Sequence, residues 1–110
     1  MMVSRMARAL PHPAAEDITL DGILHALSDP VRRDILFKVM GCSGLSCSQA
    51  CTELPPSTIS FHYRILREAG LIHSEKKGVE VINTGRKAEI EKRFPGLLHT
   101  VFKHHNSGKS

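Results

Sequence analysis

The sequence predicts a mostly α fold with a small β-hairpin. Three observations carry that expectation. Apolar residues recur at helical spacing through most of the chain, the spacing becomes extended only from Leu71 to Asn83, and Gly or Pro stands at most changes of pattern. With 110 residues, 41% of them hydrophobic, there is apolar material for one core and too little for two ordinary domains. Residues 1–15 carry Arg5, Arg8, Pro11 and Pro13 without sustained periodicity, so they are expected to form a flexible basic arm. Residues 16–105 are expected to form the domain, and residues 106–110 a disordered tail.

Leu20, Ile23, Leu24 and Leu27 recur at i, i+3, i+4 and i+7, which predicts a helix over 17–27. Ser28-Asp29-Pro30 supplies a capping side chain and then a proline suited to a first turn, so a second helix is expected over 30–40. Val31, Ile35, Leu36 and Val39 are its expected core positions, with Arg32, Arg33 and Lys38 toward water and Gly41 as the stop. Residues 42–45 read as a loop of small residues. Ser46 can cap a short helix with Cys47, Ala50, Cys51 and Leu54 on one face, ended by Pro55-Pro56.

Ser57 can cap the next helix, whose buried stripe is Ile59, His62, Tyr63 and Leu66, and Gly70 is its natural end. Two helices joined by a tight turn have the form of a helix-turn-helix. Residues 71–76 and 79–83 then read as two strands with Lys77-Gly78 at the bend, which would make a wing. Residues 84–93 are polar and helical with Ile90 inward, and after Pro95 a last apolar stripe holds Leu97, Leu98, Val101 and Phe102.

Lys and Arg outnumber Asp and Glu by 15 to 11, a net charge of +4 that favours a polyanionic partner. An aromatic content of 5% without Trp argues against a base-stacking surface for single strands. No apolar run reaches membrane-span length, and the N-terminal stretch lacks the apolar segment of a secretory signal, so the expected compartment is the cytoplasm. The sequence carries neither a Gly-rich phosphate loop nor a His-Glu-x-x-His helix. A Cys51/His62 dyad would have to use faces already committed to packing, so no enzyme activity and no cofactor are expected.

The helix beginning at Ser57 has a second face, formed by Ser57, Phe61 and Arg64 with Thr58 and Ser60 at its edges. Short hydroxyls near a helix N-terminus suit phosphates, and a long cation farther along suits a guanine edge or the backbone of duplex DNA. Lys76 and Lys77 at the wing tip can rest on neighbouring phosphates. Phe61 can touch a thymine methyl, or weaken base readout by folding back onto protein.

Two segments, Ala-Leu-Ser-Asp-Pro-Val-Arg-Arg-Asp-Ile-Leu from Ala26 to Leu36 and Pro-Ser-Thr-Ile-Ser-Phe-His-Tyr-Arg-Ile-Leu-Arg-Glu-Ala-Gly-Leu-Ile from Pro56 to Ile72, carry a family resemblance. Together they resemble the arsenic-repressor (ArsR) type of winged helix-turn-helix regulators, over residues 20–83. Those are bacterial homodimeric transcription factors, usually repressors. The resemblance implies a homodimeric, sequence-specific DNA-binding repressor acting on an inverted-repeat operator. It places Ser57, Thr58, Ser60, Phe61 and Arg64 at base- and phosphate-facing positions and His62 beside the core. It also implies dimerisation through the first and last helices, where Leu20, Ile23, Leu24 and Leu27 and then Leu97, Leu98, Val101 and Phe102 supply apolar stripes.

Cys42, Cys47 and Cys51 are odd in number and closely spaced, which fits reduced thiols better than a disulfide framework. Cys47 and Cys51, at i and i+4, share a stripe with Ala50 and Leu54 and are expected to pack as small apolar residues. A thiol-based redox or metal-responsive derepressor using the three is the alternative. The family's thiolate motif has cysteines separated by one residue, and this sequence lacks it. His99, His104 and His105 lack ligand spacing and are expected in solvent or at an interface, and His62 as a hydrogen-bonded core histidine. A winged-helix module binding protein instead of DNA is the remaining alternative, favoured by Phe61 and the acids Glu68, Glu75 and Glu80.

Overall fold

The computed structural model describes residues 8–41, 45–46 and 54–107. In chain order they form β1 (Arg8–Ala9), a 3-10 turn (Ala15–Asp17), α1 (Leu20–Ala26), α2 (Pro30–Met40), β2 (Leu45–Ser46), α3 (Pro56–Glu68), β3 (Ile72–Lys77), β4 (Glu80–Gly85), α4 (Lys87–Arg93) and α5 (Leu97–Ser107). The expected architecture is present: helices around one core, with an antiparallel hairpin after α3. None of the helices among the described residues is long and apolar enough to cross a membrane.

Helix α1 starts three residues later than its apolar spacing suggested, because Thr19 is the cap: its Oγ1 accepts from the Gly22 N–H at 3.0 Å. Ile18 lies between the 3-10 turn and α1 and is buried. Helix α2 has the predicted limits, with Asp29 Oδ1 accepting from the Arg32 N–H at 3.0 Å and Pro30 in the first turn. Its inward stripe, however, is Arg32, Ile35, Leu36 and Val39, while Val31 is exposed. The expectation that Arg32 faces water and Val31 the core is therefore reversed. The cause is local: the C-terminal carbonyls of α1 lie beside Arg32 and attract a donor that a periodicity count treats as polar surface.

Helix α3 starts one residue earlier than predicted. Pro55 is the N-cap and Pro56 opens the helix, so Ser57 stands within the first turn and does not cap. At the other end the Leu71 N–H donates to the Leu66 carbonyl and the Gly70 N–H to the Arg67 carbonyl, both at 3.0 Å, with Gly70 at φ +87°. That pairing is a Schellman ending, and the two leucines it brings together are both buried.

The sheet has the order β1-β3-β4-β2. In the hairpin Ile72 pairs with Gly85 and Lys77 with Glu80, which leaves Gly78-Val79 as a two-residue turn with Gly78 at φ +62°. Strand β4 includes Thr84 and Gly85, so α4 begins at Lys87 and the helical reading of residues 84–86 is corrected. On the inner face Ser74 Oγ donates to Asn83 Oδ1 at 2.7 Å, a fully buried cross-strand pair. The outer edge of β4 is met by Leu45–Ser46, where the sequence predicts a loop and a cap. The short helix expected around Cys47 and Cys51, and Cys42, lie outside the described residues.

The other edge of the hairpin is covered by the segment assigned to a flexible arm. Arg8 pairs with Lys76 and Ala9 with Glu75, the Leu10 N–H donates to the Ser74 carbonyl at 3.1 Å, and His12 Nε2 accepts from the Ser74 N–H at 2.8 Å. Arg86 then donates to the Pro13 carbonyl at 3.0 Å, and Arg93 to the carbonyls of Ala15 and Ile18. Part of residues 8–15 is thus built into the wing. Two paired residues and a side-chain acceptor are too few to leave a periodic signal, yet they satisfy donors that an open edge would leave bare.

Candidate nucleic-acid interface

Helix α3 is held by its underside. Ile59, His62, Tyr63 and Leu66 are buried, which turns Ser57, Ser60, Phe61 and Arg64 outward on the opposite face. Phe61 is 48% exposed, so its ring does not fold back onto the protein. Ser57, Ser60, Phe61, Arg64 and Arg67 together line one shallow surface depression. Thr58 is half-buried at the edge. Arg67, absent from the predicted set, lies three positions beyond Arg64 on the same outward line. Continuing the outward stripe to the helix end would have found it.

The N-terminus of this helix has no side-chain cap and no acid in its first turn. Its positive dipole end therefore stands beside the Ser57 hydroxyl with no nearby carboxylate on the same turn, an arrangement suited to an anionic oxygen. Lys76 and Lys77 are exposed near the wing tip, and Val79 in the turn is 99% exposed. Val79 was not among the predicted contacts. Its neighbour Gly78 permits the tight bend that projects it.

A buried polar junction lies beneath α3. Arg32, only 5% exposed, donates through Nε to the Ala26 carbonyl at 2.6 Å and through one terminal nitrogen to the His25 carbonyl at 3.4 Å. Its other terminal nitrogen meets His62 Nδ1 at 3.2 Å. Arg32 can only donate, so Nδ1 accepts and the neutral ring carries its proton on Nε2. The end of α1, the start of α2 and the underside of α3 are joined through one guanidinium. His62 is the hydrogen-bonded core histidine that its apolar neighbours predicted.

Burial holds the His62 pKa below the ordinary histidine range; Asp29 opposes this and Arg32 reinforces it. Burial also lowers His12, helped by His73, Arg86 and Arg67, against a hydrogen bond to the Leu10 backbone. The His12 and His73 rings stack with centroids 4.4 Å apart. Since both folded-state values are depressed, the unfolded chain binds more protons as pH falls past the ordinary value of about 6.5. Stability is therefore expected to be intact above that point and to decline below it. Urea midpoints measured from about pH 7.5 down to about pH 5.5 should fall, and a His12→Gln/His62→Gln variant should show a flatter dependence. A parent midpoint that holds level or rises on acidification contradicts the assignment.

The terminal helices divide differently from the predicted stripes. On α1, Ile23 and Leu27 are core residues, while Leu20 and Leu24 are exposed. On α5, Leu98 is core, Leu97 and Val101 are half-buried, and Phe102 is exposed against Phe37, with ring centroids 4.9 Å apart. Leu20 and Leu97 line one depression with Phe94 and Thr100, so exposed parts of the two helices form a continuous patch.

His105, expected in solvent or at an interface, instead joins α5 to α2: Arg33 Nε donates to its Nδ1 at 3.1 Å, and its Nε2 meets Asp34 Oδ1 at 2.8 Å. His99 and His104 are exposed. Among the described residues no three His, Cys, Asp or Glu side chains come together in a way that could hold a metal ion. The three cysteines fall outside those residues.

Comparison with known proteins agrees with this geometry. A family described as a helix-turn-helix domain matches residues 27–75, which take in Arg32 and all of α3. A search of curated proteins returns no match. Among solved structures, an ArsR-like transcriptional regulator from Rhodococcus sp. RHA1 superposes with a TM-score of 0.58 at 28% identity, over 81% of this chain and 87% of that one.

Proposed function

We propose that this chain, a winged helix-turn-helix protein of the ArsR-like type, is a DNA-binding transcriptional regulator that acts as a homodimeric repressor on an inverted-repeat operator. One observation carries the reading: α3 presents Ser57, Ser60, Arg64 and Arg67 outward from a buried apolar underside. Such a face fits the major groove, with hydroxyls and the helix N-terminus toward phosphates and the guanidinium groups toward guanine edges or the backbone. Lys76 and Lys77 supply charge to the flanking backbone. In this reading no residue performs a chemical step, and bound protein blocks transcription by occupying the promoter.

The dimer rests on the exposed apolar patch. Leu20 and Leu24 on α1 and Phe102 on α5 are exposed apolar groups, and Leu20 shares one depression with Leu97 of α5. A two-fold dimer is expected to place the recognition helices about 34–36 Å apart, one turn of duplex.

Arg64→Ala is expected to weaken binding to a selected operator by about 1–3 kcal/mol and to relax base preference. Lys77→Ala should weaken all duplexes alike and make the salt dependence shallower. Titrations at several salt concentrations, with sedimentation of the same preparations, measure both effects and the stoichiometry. Undiminished operator affinity in Arg64→Ala would remove α3 as the reading element. A sedimenting monomer at micromolar concentration with full operator affinity would remove the dimer. A salt-independent association would favour a protein partner over DNA.

A further inference from the structure

Phe61 is out of place on the face that carries it. Its neighbours in the surface depression are Ser57, Ser60, Arg64 and Arg67, all able to hydrogen bond, yet the ring stands 48% exposed among them. The exposed half of the ring contributes no apolar burial in the free chain. The ring has an aromatic neighbour. Its centroid lies 5.6 Å from that of His62, and His62 is fixed from beneath by Arg32. An aromatic edge in a groove-facing position suits an apolar feature in the groove, and the 5-methyl group of thymine is the one that the four bases display there.

We propose, resting on the DNA-binding reading above, that Phe61 is a specificity-determining residue that selects a thymine by contact with its 5-methyl group, in a register set by Arg64. Along a helix that rises about 1.5 Å per residue, the three positions from Phe61 to Arg64 span about 4.5 Å. That distance corresponds to one or two base-pair steps of about 3.4 Å. The operator half-site therefore carries a thymine with a guanine one or two base pairs away, the first read by the ring and the second by the guanidinium. Phe61 supplies discrimination through a methyl contact and no hydrogen bond, so its contribution is separable from that of every polar group on α3.

The test begins with selection of duplexes from a random-sequence pool by the full chain. Each thymine of the selected half-site is then replaced by uracil, which removes the methyl and leaves every hydrogen-bonding group in place. One position is expected to lose about threefold to tenfold in affinity with the parent protein. With Phe61→Ser, duplexes carrying thymine and uracil at that position should bind equally. Restoring the methyl as 5-methylcytosine opposite guanine should recover part of the parent's affinity relative to cytosine and nothing for the variant. Specific binding that is indifferent to uracil at every position overturns the methyl contact while leaving α3 as the reading helix. Equal uracil sensitivity in parent and Phe61→Ser overturns the assignment to this ring. Failure of the parent to enrich any duplex overturns this proposal together with the reading beneath it. Thermal unfolding of Phe61→Ser close to that of the parent is the expected control, since the ring is half-exposed; a large loss would make Phe61 a packing residue and overturn the proposal too.

Discussion

Replacing Arg32 with alanine is expected to lower the unfolding free energy by about 2–4 kcal/mol, which in a domain of this size moves the thermal midpoint down by roughly 10–20 °C. The guanidinium is buried and serves three acceptors on two other helices. Removing it strands the Ala26 carbonyl and His62 Nδ1 in the interior and opens a cavity between them. Buried ionic groups can often be exchanged for apolar ones at little cost, but only when their partners are removed as well. Here two of the three partners are backbone carbonyls, which no substitution deletes. Arg32→Met should therefore recover packing and still fall well short of the parent. Arg32→Lys should keep the charge, lose the fork that reaches two helices at once, and lie between. Chemical denaturation gives the ordering directly. A midpoint within about 2 °C of the parent for Arg32→Ala would show that water replaces the guanidinium freely and that the junction does not hold α3.

Arg32 also marks where sequence reasoning stops. The order of helices, the hairpin and the outward face of α3 follow from short-range rules: spacing of apolar residues, Asp29-Pro30 as a start, Gly70 and Gly78 at positive φ. Those signals are local, so they are legible without coordinates. Arg32 is polar by composition and buried by circumstance, because the acceptors that draw it inward belong to α1 and α3. The same holds for His12, which completes the edge of β3 from 62 residues away, and for His105, which closes a link to α2 from 71 residues away. A single residue that finishes a distant hydrogen-bond pattern has no period to reveal it. The outward residues of α3 show the opposite limit. The outward direction of Ser57, Ser60, Phe61 and Arg64 is legible because it is fixed by the buried stripe on their own helix, whereas the apolar stripes expected for dimerisation mix core and surface. Ile23, Leu27 and Leu98 share spacing with Leu20, Leu24 and Phe102, and only the neighbouring elements decide which side of each helix is covered.

Gly70→Ala is expected to be nearly as damaging as loss of Arg32, for a reason that combines conformation and space. At φ +87° a side chain incurs a cost of about 1–2 kcal/mol, because its Cβ crowds the following carbonyl. A Cβ at this glycine would in addition lie 2.5 Å from Cγ1 and 2.6 Å from Cδ1 of Ile18. Ile18 is itself buried between the 3-10 turn and α1, with little room to withdraw. Displacing it adds about 1–2 kcal/mol of overpacking, for a total of about 2–4 kcal/mol. Gly96 separates the two contributions. It has φ +82° with nothing within 4 Å of its would-be Cβ, so Gly96→Ala reports the conformational part alone. The difference between the two variants in denaturant midpoints then measures the contact with Ile18. Adding Ile18→Val to Gly70→Ala should return part of that difference, since one methylene less relieves the crowding. Equal losses for Gly70→Ala and Gly96→Ala would show that the Ile18 contact relaxes freely. The Gly70 position would then act through backbone geometry alone, as the Schellman ending requires.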